Sequence, residues 1–389
     1  MQRFPVSRVS SGIRRCRTKR SIMEDCTEKR EKYAKEQIPS NVPSIGELKK
    51  SLPPQCFEPS IFLSFYYVFK DLAIVASLYS VMLVLTVGPM SVHWTFKYLA
   101  IYPFYWLLQG TMMAAIFCLG HDCGHGSFSK SPLLNDVVGN IIHSMILVPY
   151  YPWKLSHHHH HKNTGNIDKD EVFYPIRTKD SSDHPKSSSI SLVALLPGAA
   201  WFAYLVLGYG YQPRSNSPNH FNPWDPMFTR HTVACAISIA CWLTFFTFVV
   251  VPYTATFGLA KVTAHYFVPL FVFASWMVII TFLHHNDAKT PWYADEKWDF
   301  VRGNLSSIDR HYGWAHDLIH NIGTHQIHHL FIRVPHYRLE EATAVFREKY
   351  PHLVRTSKDP IIPSFLKMFK IWNNLRFINE DAMYHAYSQ

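Results

Sequence analysis

Four stretches of the chain stay apolar long enough to cross a bilayer, which takes about 20 largely apolar residues. They run from Leu72 to Met90, Tyr98 to Leu119, Thr232 to Tyr253 and His265 to Leu283. None carries an acid or a base in its middle, and Gly88-Pro89 closes the first. Two further apolar segments, Leu133 to Tyr151 and Ser191 to Tyr211, are read as helices lying in the membrane interface. In the second, Pro197-Gly198, Trp201 and several tyrosines suit that position. The polar remainder divides the chain into a basic tail over 1–42, read as disordered, a membrane-embedded unit over 43–351, and a cytosolic C-terminal tail over 352–389. Ser44, with Glu47 three residues on, reads as a capping box opening the embedded unit.

Histidines mark the ends of this pattern. The second stretch runs directly onto His121-Asp-Cys-Gly-His125, and the fourth ends at His284-His285. A run from His157 to His161 and the cluster His325-Gln-Ile-His328-His329 lie in polar sequence. A spacing of four puts two imidazoles on one helical face, and three-then-four fans three from a single turn. Imidazole ligates iron, zinc, copper and nickel. Taking His157, His160 and His161, which repeat the third cluster's spacing, gives eight candidate ligands, too many for one ion and enough for two. His158 and His159 are then spacers, and Cys123 is a small packing residue turned away from His121 and His125. The run lies mid-chain, which rules out an expression tag.

Sharing a site puts all clusters on one side of the membrane. The basic tail is expected in the cytosol, and the turns Ser91 to Lys97 and Thr254 to Thr263 carry one lysine each. Two crossings return the chain before the first cluster and two more before the third, provided the interfacial segments do not cross.

Composition supports a membrane protein: 48% apolar, 15% aromatic and only 17% charged residues. The net charge of +10 and pI near 9.1 fit cytosolic loops and anionic headgroups, and no nucleic-acid-binding motif is present. Seven cysteines, an odd number with no Cys-x-x-Cys, imply neither a disulfide framework nor a zinc ribbon. Met1 to Met23 holds arginines and serines without an acid, as a transit peptide would; the reading adopted is a cytosolic tail carrying the positive-inside signal. Zinc hydrolysis would want a carboxylate base beside the metal, whereas oxygen activation needs a redox metal such as iron with open positions. A metal transporter would carry ionisable groups at mid-membrane, which the four stretches lack.

The clusters resemble the three histidine boxes of integral-membrane fatty acid desaturases: His-x-x-x-His, His-x-x-His-His and His-x-x-His-His. Their flanks are similar to the methyl-end (omega-3 and delta-12) branch: Gly120 to Phe128, Pro53 to Phe57, Gly323 to Phe331 and Pro335-His336-Tyr337. The resemblance covers roughly Pro43 to Pro351. It implies an all-α integral membrane protein with four transmembrane helices and a cytosolic helical cap carrying a histidine-rich di-iron site. The implied ligands of the two irons are His121, His125, His157, His160, His161, His325, His328 and His329. A ninth histidine is expected outside the boxes, His285 or else His320, and Asp122 and Asp168 are candidates to orient imidazoles. Family members usually lack histidine at the places of His158 and His159, so the register of the second box stays open.

The implied reaction inserts a double bond into an acyl chain on phospholipid or CoA, using molecular oxygen and two electrons. Cytochrome b5 and NADH-cytochrome b5 reductase are the expected donors in the endoplasmic reticulum, ferredoxin in a plastid, and a basic cytosolic surface would suit an acidic donor. Gly120, Gly124 and Gly126 around His125 favour omega-3 over delta-12 regiochemistry by resemblance. Hydroxylases, acetylenases and epoxygenases share the boxes and are the nearest alternatives.

Overall fold

The computed structural model describes residues 29–88, 91–177, 196–208 and 218–387. Most of the N-terminal tail, Pro89-Met90 and both ends of the segment 191–211 lie outside the described residues. Among the described residues four helices are long and apolar enough to cross a membrane: Ile61–Thr86, Trp94–His125, Pro226–Phe257 and Leu259–His285. Number and order match the hydropathy pattern; three helices outrun their apolar stretch at both ends, and the first begins at Ile61 and ends at Thr86, ahead of its stretch.

The first span shows why. It starts at Ile61 rather than Leu72, with the Ser60 hydroxyl accepting from the Leu63 N–H at 3.4 Å. Lys70 and Asp71 interrupt its apolar run, so an acid does lie inside this span, contrary to expectation. The helix tolerates Asp71 because its carboxylate is buried 2.6 Å from His320 Nε2, with Lys70 Nζ at 3.4 Å. Buried charges persist when paired.

The other three spans each contain one π-turn: Lys97–Ile101, Phe246–Val250 and Thr263–Phe267. Each is followed, two residues on, by a proline: Pro103, Pro252 and Pro269. A proline ring clashes with the carbonyl four residues back and offers no N–H, and the wider turn absorbs both defects without breaking the helix. The second and fourth spans cross closely at Gly110, where a Cβ would stand 2.5 Å from Val272 Cβ and 2.6 Å from the Pro269 carbonyl oxygen. Trp276 Nε1 donates to Thr111 Oγ1 at 3.0 Å beside that crossing.

Shorter helices close one end of the bundle. Pro132–Ser144 packs on the second span, Pro197–Leu207 on the fourth, and Tyr150–Asn163 follows as part of a cap with His325–Leu330 and His336–Lys349. With 13 and 11 residues rising 1.5 Å each, the first two are too short to cross. The parity set by the four spans is therefore kept.

The ends of the chain depart from expectation. Residues 29–36 form a helix with Ala34 fully buried. Residues beyond 351 are not a free tail: Ile361–Leu375 lays Phe365, Phe369 and Trp372 against Phe282 of the fourth span. Apolar residues three and four apart make that stripe. Two strand pairs then fasten the C-terminus, Ile176–Arg177 parallel to Phe377–Ile378 and Trp292–Tyr293 antiparallel to Tyr384–His385.

The Gly110 crossing yields a stability test. Gly110→Leu should force the second and fourth spans apart and lower the melting temperature in detergent by several degrees. Gly46→Ala, where only Ser44 Oγ comes within 4.0 Å of the new Cβ, should leave it unchanged or raise it, since alanine favours a helix by about 1 kcal/mol over glycine.

Candidate metal centre

Three local devices aim the histidines. The second span stops immediately after His125 because Gly126 adopts a left-handed conformation (φ 71°), so His121 and His125 occupy its last turn. The five-histidine run sits within the helix Tyr150–Asn163. The third cluster begins its own helix, whose first two N–H groups, of His325 and Gln326, donate to Asp309 Oδ1 at 2.7 and 2.8 Å. A carboxylate there satisfies orphan donors and suits the helix dipole.

The side chains converge into two groups. Ligand atoms of His121, His125, His157, His161 and His328 all lie within 4.8 Å of one another, and those of His160, His285 and His329 do the same. His325 joins the second group, its Nε2 3.2 Å from that of His285 and 2.9 Å from that of His329. All eight box histidines are thus brought together with His285, whose Nε2 is 3.1 Å from that of His160. His320 stands apart on Asp71. His158 and His159 fall in neither group: the His159 ring bonds the Lys169 carbonyl at 3.0 Å, and the His158 ring packs 5.4 Å from that of His125.

The nitrogen spacing fits a metal. Facing Nε2 atoms are 3.2 Å apart in His121–His125, 3.0 Å in His157–His161 and 2.9 Å in His325–His329. Two imidazole nitrogens bound at right angles to one ion, each at about 2.0–2.1 Å, would be about 2.8–3.0 Å apart. Burial holds the His157, His161, His325, His328 and His329 imidazoles well below their ordinary pKa, and neighbouring histidines push the same way. They are neutral at neutral pH, so their lone pairs are free for a cation.

Two of the far ring nitrogens are anchored, while those of His125, His161 and His325 are buried without a partner among the described residues. His160 Nδ1 meets Asp170 Oδ1 at 2.8 Å, and His329 Nδ1 donates to Asn304 Oδ1 at 3.1 Å. Such contacts fix the tautomer that points Nε2 inward. Asp122 lies 3.9 Å from His121 Nδ1 and bonds His336 more tightly, Nδ1 at 2.8 Å and the backbone N–H at 3.1 Å. Asp168 does not take the role expected of it. Its two oxygens hold Arg177 at 2.7 and 2.9 Å, and Asp170, two residues later, faces the imidazole. No spacing rule separates these two acids in the sequence, and Asn304 and Asp309 carry no local signal at all. His284, given no role by the sequence beyond ending the fourth stretch, supports the site: its Nδ1 donates to the Ile308 carbonyl at 2.5 Å, its Nε2 accepts from the Tyr312 hydroxyl at 3.1 Å, and its ring stacks 3.9 Å from His325.

Below the histidines, Trp153 stacks on His157 at 4.6 Å and Phe117 packs edge-on against Trp153. An apolar cavity of about 360 Å³ lies deeper among all four spans, lined by Leu72, Met113, Ile116, Val249 and Tyr266 among others. A polar, metal-competent cluster thus caps an apolar bundle.

The family model for fatty acid desaturases matches residues 97–358, most of the chain and every histidine above. The chain belongs to the fatty acid desaturase family. It is 37% identical over 345 residues to the sn-1 acyl-lipid omega-3 desaturase (ferredoxin) of Nostoc sp., covering 85% of this chain and 86% of that protein. A Synechocystis sp. protein of the same description is 38% identical, covering 84% and 86%. The acyl-lipid omega-3 desaturase (cytochrome b5), endoplasmic reticulum, of Arabidopsis thaliana is 39% identical over 303 residues, covering 77% and 74%. In this desaturase the glycines near the first box have local reasons. Gly126 ends the helix, and a Cβ on Gly120 would stand 2.1 Å from the His143 ring.

Two groups predict two metal equivalents. Metal analysis of purified protein should find about two ions per chain, falling toward one in His285→Ala and in His161→Ala. His320→Ala should keep both ions, since its ring faces Asp71. Full loading of His285→Ala, or one missing ion in His320→Ala, would reverse the assignment of His285 and His320.

Proposed function

We propose that this protein is an omega-3 acyl-lipid desaturase with two irons. His121, His125, His157, His161 and His328 hold one, and His160, His285, His325 and His329 the other. The observation that carries this reading is the pair of adjacent all-histidine groups at the end of an apolar helical bundle. Iron would supply one-electron redox chemistry and open positions for oxygen. A methylene pair in the substrate loses two hydrogens, and oxygen with two electrons and two protons leaves as two waters. The alternative outcome, hydroxyl transfer, has no observation in its favour.

The chain's own residues supply binding and orientation. Apolar walls give an acyl chain nothing to bond but shape, so position along the chain is set by depth and kinks rather than by polar contacts. Trp153 and Phe117 keep water from the faces of the rings they cover. Asp170 and Asn304 hinder rotation of the rings they bond, and Asp309 fixes the start of the helix that carries the third cluster. The resemblance to acyl-lipid relatives supports a phospholipid-borne substrate, and the eukaryotic cytochrome b5-dependent relative supports the endoplasmic reticulum as location, with the histidines on the cytosolic face.

Expression in yeast tests the regiochemistry. Cells fed linoleate should accumulate linolenate, and cells left with oleate alone should show no new diene by gas chromatography. Conversion of oleate to linoleate would replace omega-3 with delta-12. New double bonds only on the carboxyl side of existing ones would remove the protein from the methyl-end branch.

A further inference from the structure

We propose that the C-terminal helix Ile361–Leu375 lies on the membrane surface at the histidine end of the bundle and binds anionic phospholipid there. Ile362 and Leu366 enter the acyl region, and Lys367 and Lys370 meet the headgroups. The sequence alone placed this segment in a cytosolic tail, and the desaturase reading gives it no part.

Height in the bilayer comes from the fourth span. Leu259–His285 has 27 residues; upright, at 1.5 Å each, they run about 40 Å against about 30 Å of hydrocarbon. Shared between the ends, the excess leaves each about 5 Å out in the headgroup layer. Phe282, three residues before His285, therefore stands where acyl chains give way to headgroups. Phe365, Phe369 and Trp372 all meet that one ring, with centroids 5.5, 5.5 and 6.0 Å away. Side chains spread over two turns of one helix converge on a single residue of another where the two cross, not where they run side by side. The helix thus lies across the span, along the membrane plane. Trp372 Nε1 donates to the Phe173 carbonyl at 2.9 Å and holds its far end on the cap.

The faces of the helix sort by chemistry. Phe365, Met368, Phe369, Ile371 and Trp372 are buried together on one face. Ile362 and Leu366, four residues apart, remain 56% and 48% exposed along one flank of it. Lys367 and Lys370, three apart and exposed, lie on the side away from the protein. No acid occurs between Ile361 and Leu375, and neither lysine makes an ion pair among the described residues. Asp359 offsets its neighbour Lys358 ahead of the helix, and the exposed Glu380 and Asp381 lie past the strand Phe377–Ile378. A buried face, an exposed apolar flank and outward cations are the three zones of a helix at a lipid interface, where the lysine stems let the ammonium groups reach phosphate. Two lysines alone would suit any anion. The adjoining Ile362 and Leu366 single out an anion that carries acyl chains, because water would cover that flank only at a cost.

The test uses the full-length protein, one chain per lipid nanodisc, carrying Cys16→Ser, Cys26→Ser and Cys241→Ser so that one added cysteine takes an environment-sensitive fluorophore. At Ile362→Cys or Leu366→Cys the label should emit as in an apolar medium and be quenched by phospholipid brominated on its acyl chains. Bromine near the carboxyl end should quench it more than bromine near the methyl end. Leu243→Cys, exposed midway along the third span, should show the reverse order. Glu348→Cys, exposed on the cap helix His336–Lys349, should stay unquenched. Bromine confined to phosphatidylserine, and then to phosphatidylcholine at the same mole fraction, reads the headgroup preference. Phosphatidylserine should prove roughly threefold enriched beside Leu366→Cys at low salt and less so at high salt. Lys367→Glu/Lys370→Glu should abolish that enrichment while quenching by phosphatidylcholine persists. Labels at both 362 and 366 that emit as in water and escape every bromine would overturn the membrane placement. Equal quenching by the two lipids, or an enrichment that the double lysine variant keeps, would overturn the anionic ligand.

Discussion

Everything in the cap answers to one constraint: nine imidazoles converge, all buried but the half-buried His157, and eight of them have a ring nitrogen about 3 Å from another's. Two protonated rings at that distance would repel by about 5 kcal/mol even at an effective dielectric near 20. Burial alone already disfavours the charged form. The cluster is therefore stable as a set of neutral rings, or as rings around cations, and not as a set of charged ones. Neutral rings have two tautomers, however, and only one presents the right nitrogen. That is what Asp170, Asn304 and the His284–Tyr312 pair settle, each bonding a nitrogen that points away from the centre or propping a ring that does. Asp309 acts one step earlier, by fixing where the third helix starts.

The membrane spans and the cap divide this work. Backbone inside a bilayer must satisfy its own hydrogen bonds, so the spans are helices and can offer ligands only at their ends. The second span ends with His121 and His125, which enter one group, and the fourth ends with His285, which enters the other. Their close crossing at Gly110 consequently sets how far apart the two groups stand. The first span contributes differently, through Asp71. That carboxylate holds His320, whose ring centroid is 4.4 Å from that of His336, and His336 in turn bonds Asp122 beside His121. A charge that looked like an intrusion into an apolar run is the span's attachment to the cap. Leaving such a buried hydrogen-bonding group without its partner typically costs about 1–3 kcal/mol, and more for a charged one.

Local features were legible in the sequence and long-range ones were not. Hydropathy located the four spans because crossing a bilayer is a property of about 20 consecutive residues. Helical spacing found the box histidines for the same reason. The start of the first span was missed because Lys70 and Asp71 are explained only by His320, some 249 positions away. Asp168 was preferred to Asp170 because both follow the second box, and only the turn that places Arg177 beside Asp168 separates them. The C-terminal segment read as a tail because its apolar stripe gives no hint that Phe282 is its partner.

The division of the histidines follows from helix geometry in a way the individual boxes hide. Residues four apart on a helix differ by about 40° in direction, while adjacent residues differ by about 100°. Each pair at spacing four shares a group: His121 with His125, His157 with His161, His325 with His329. Each adjacent pair is split: His160 from His161, and His328 from His329. A box ending in His-His thus serves both groups from one turn, giving two histidines to one and a single histidine to the other. The second box gives its pair to the first group and its single residue to the second, and the third box does the reverse. The first box lacks the adjacent histidine and serves one group only, which makes that group five and would leave the other at three. His285, arriving from the end of a different span, brings it to four. A histidine outside the boxes is thus the counterpart of a first box with no adjacent pair.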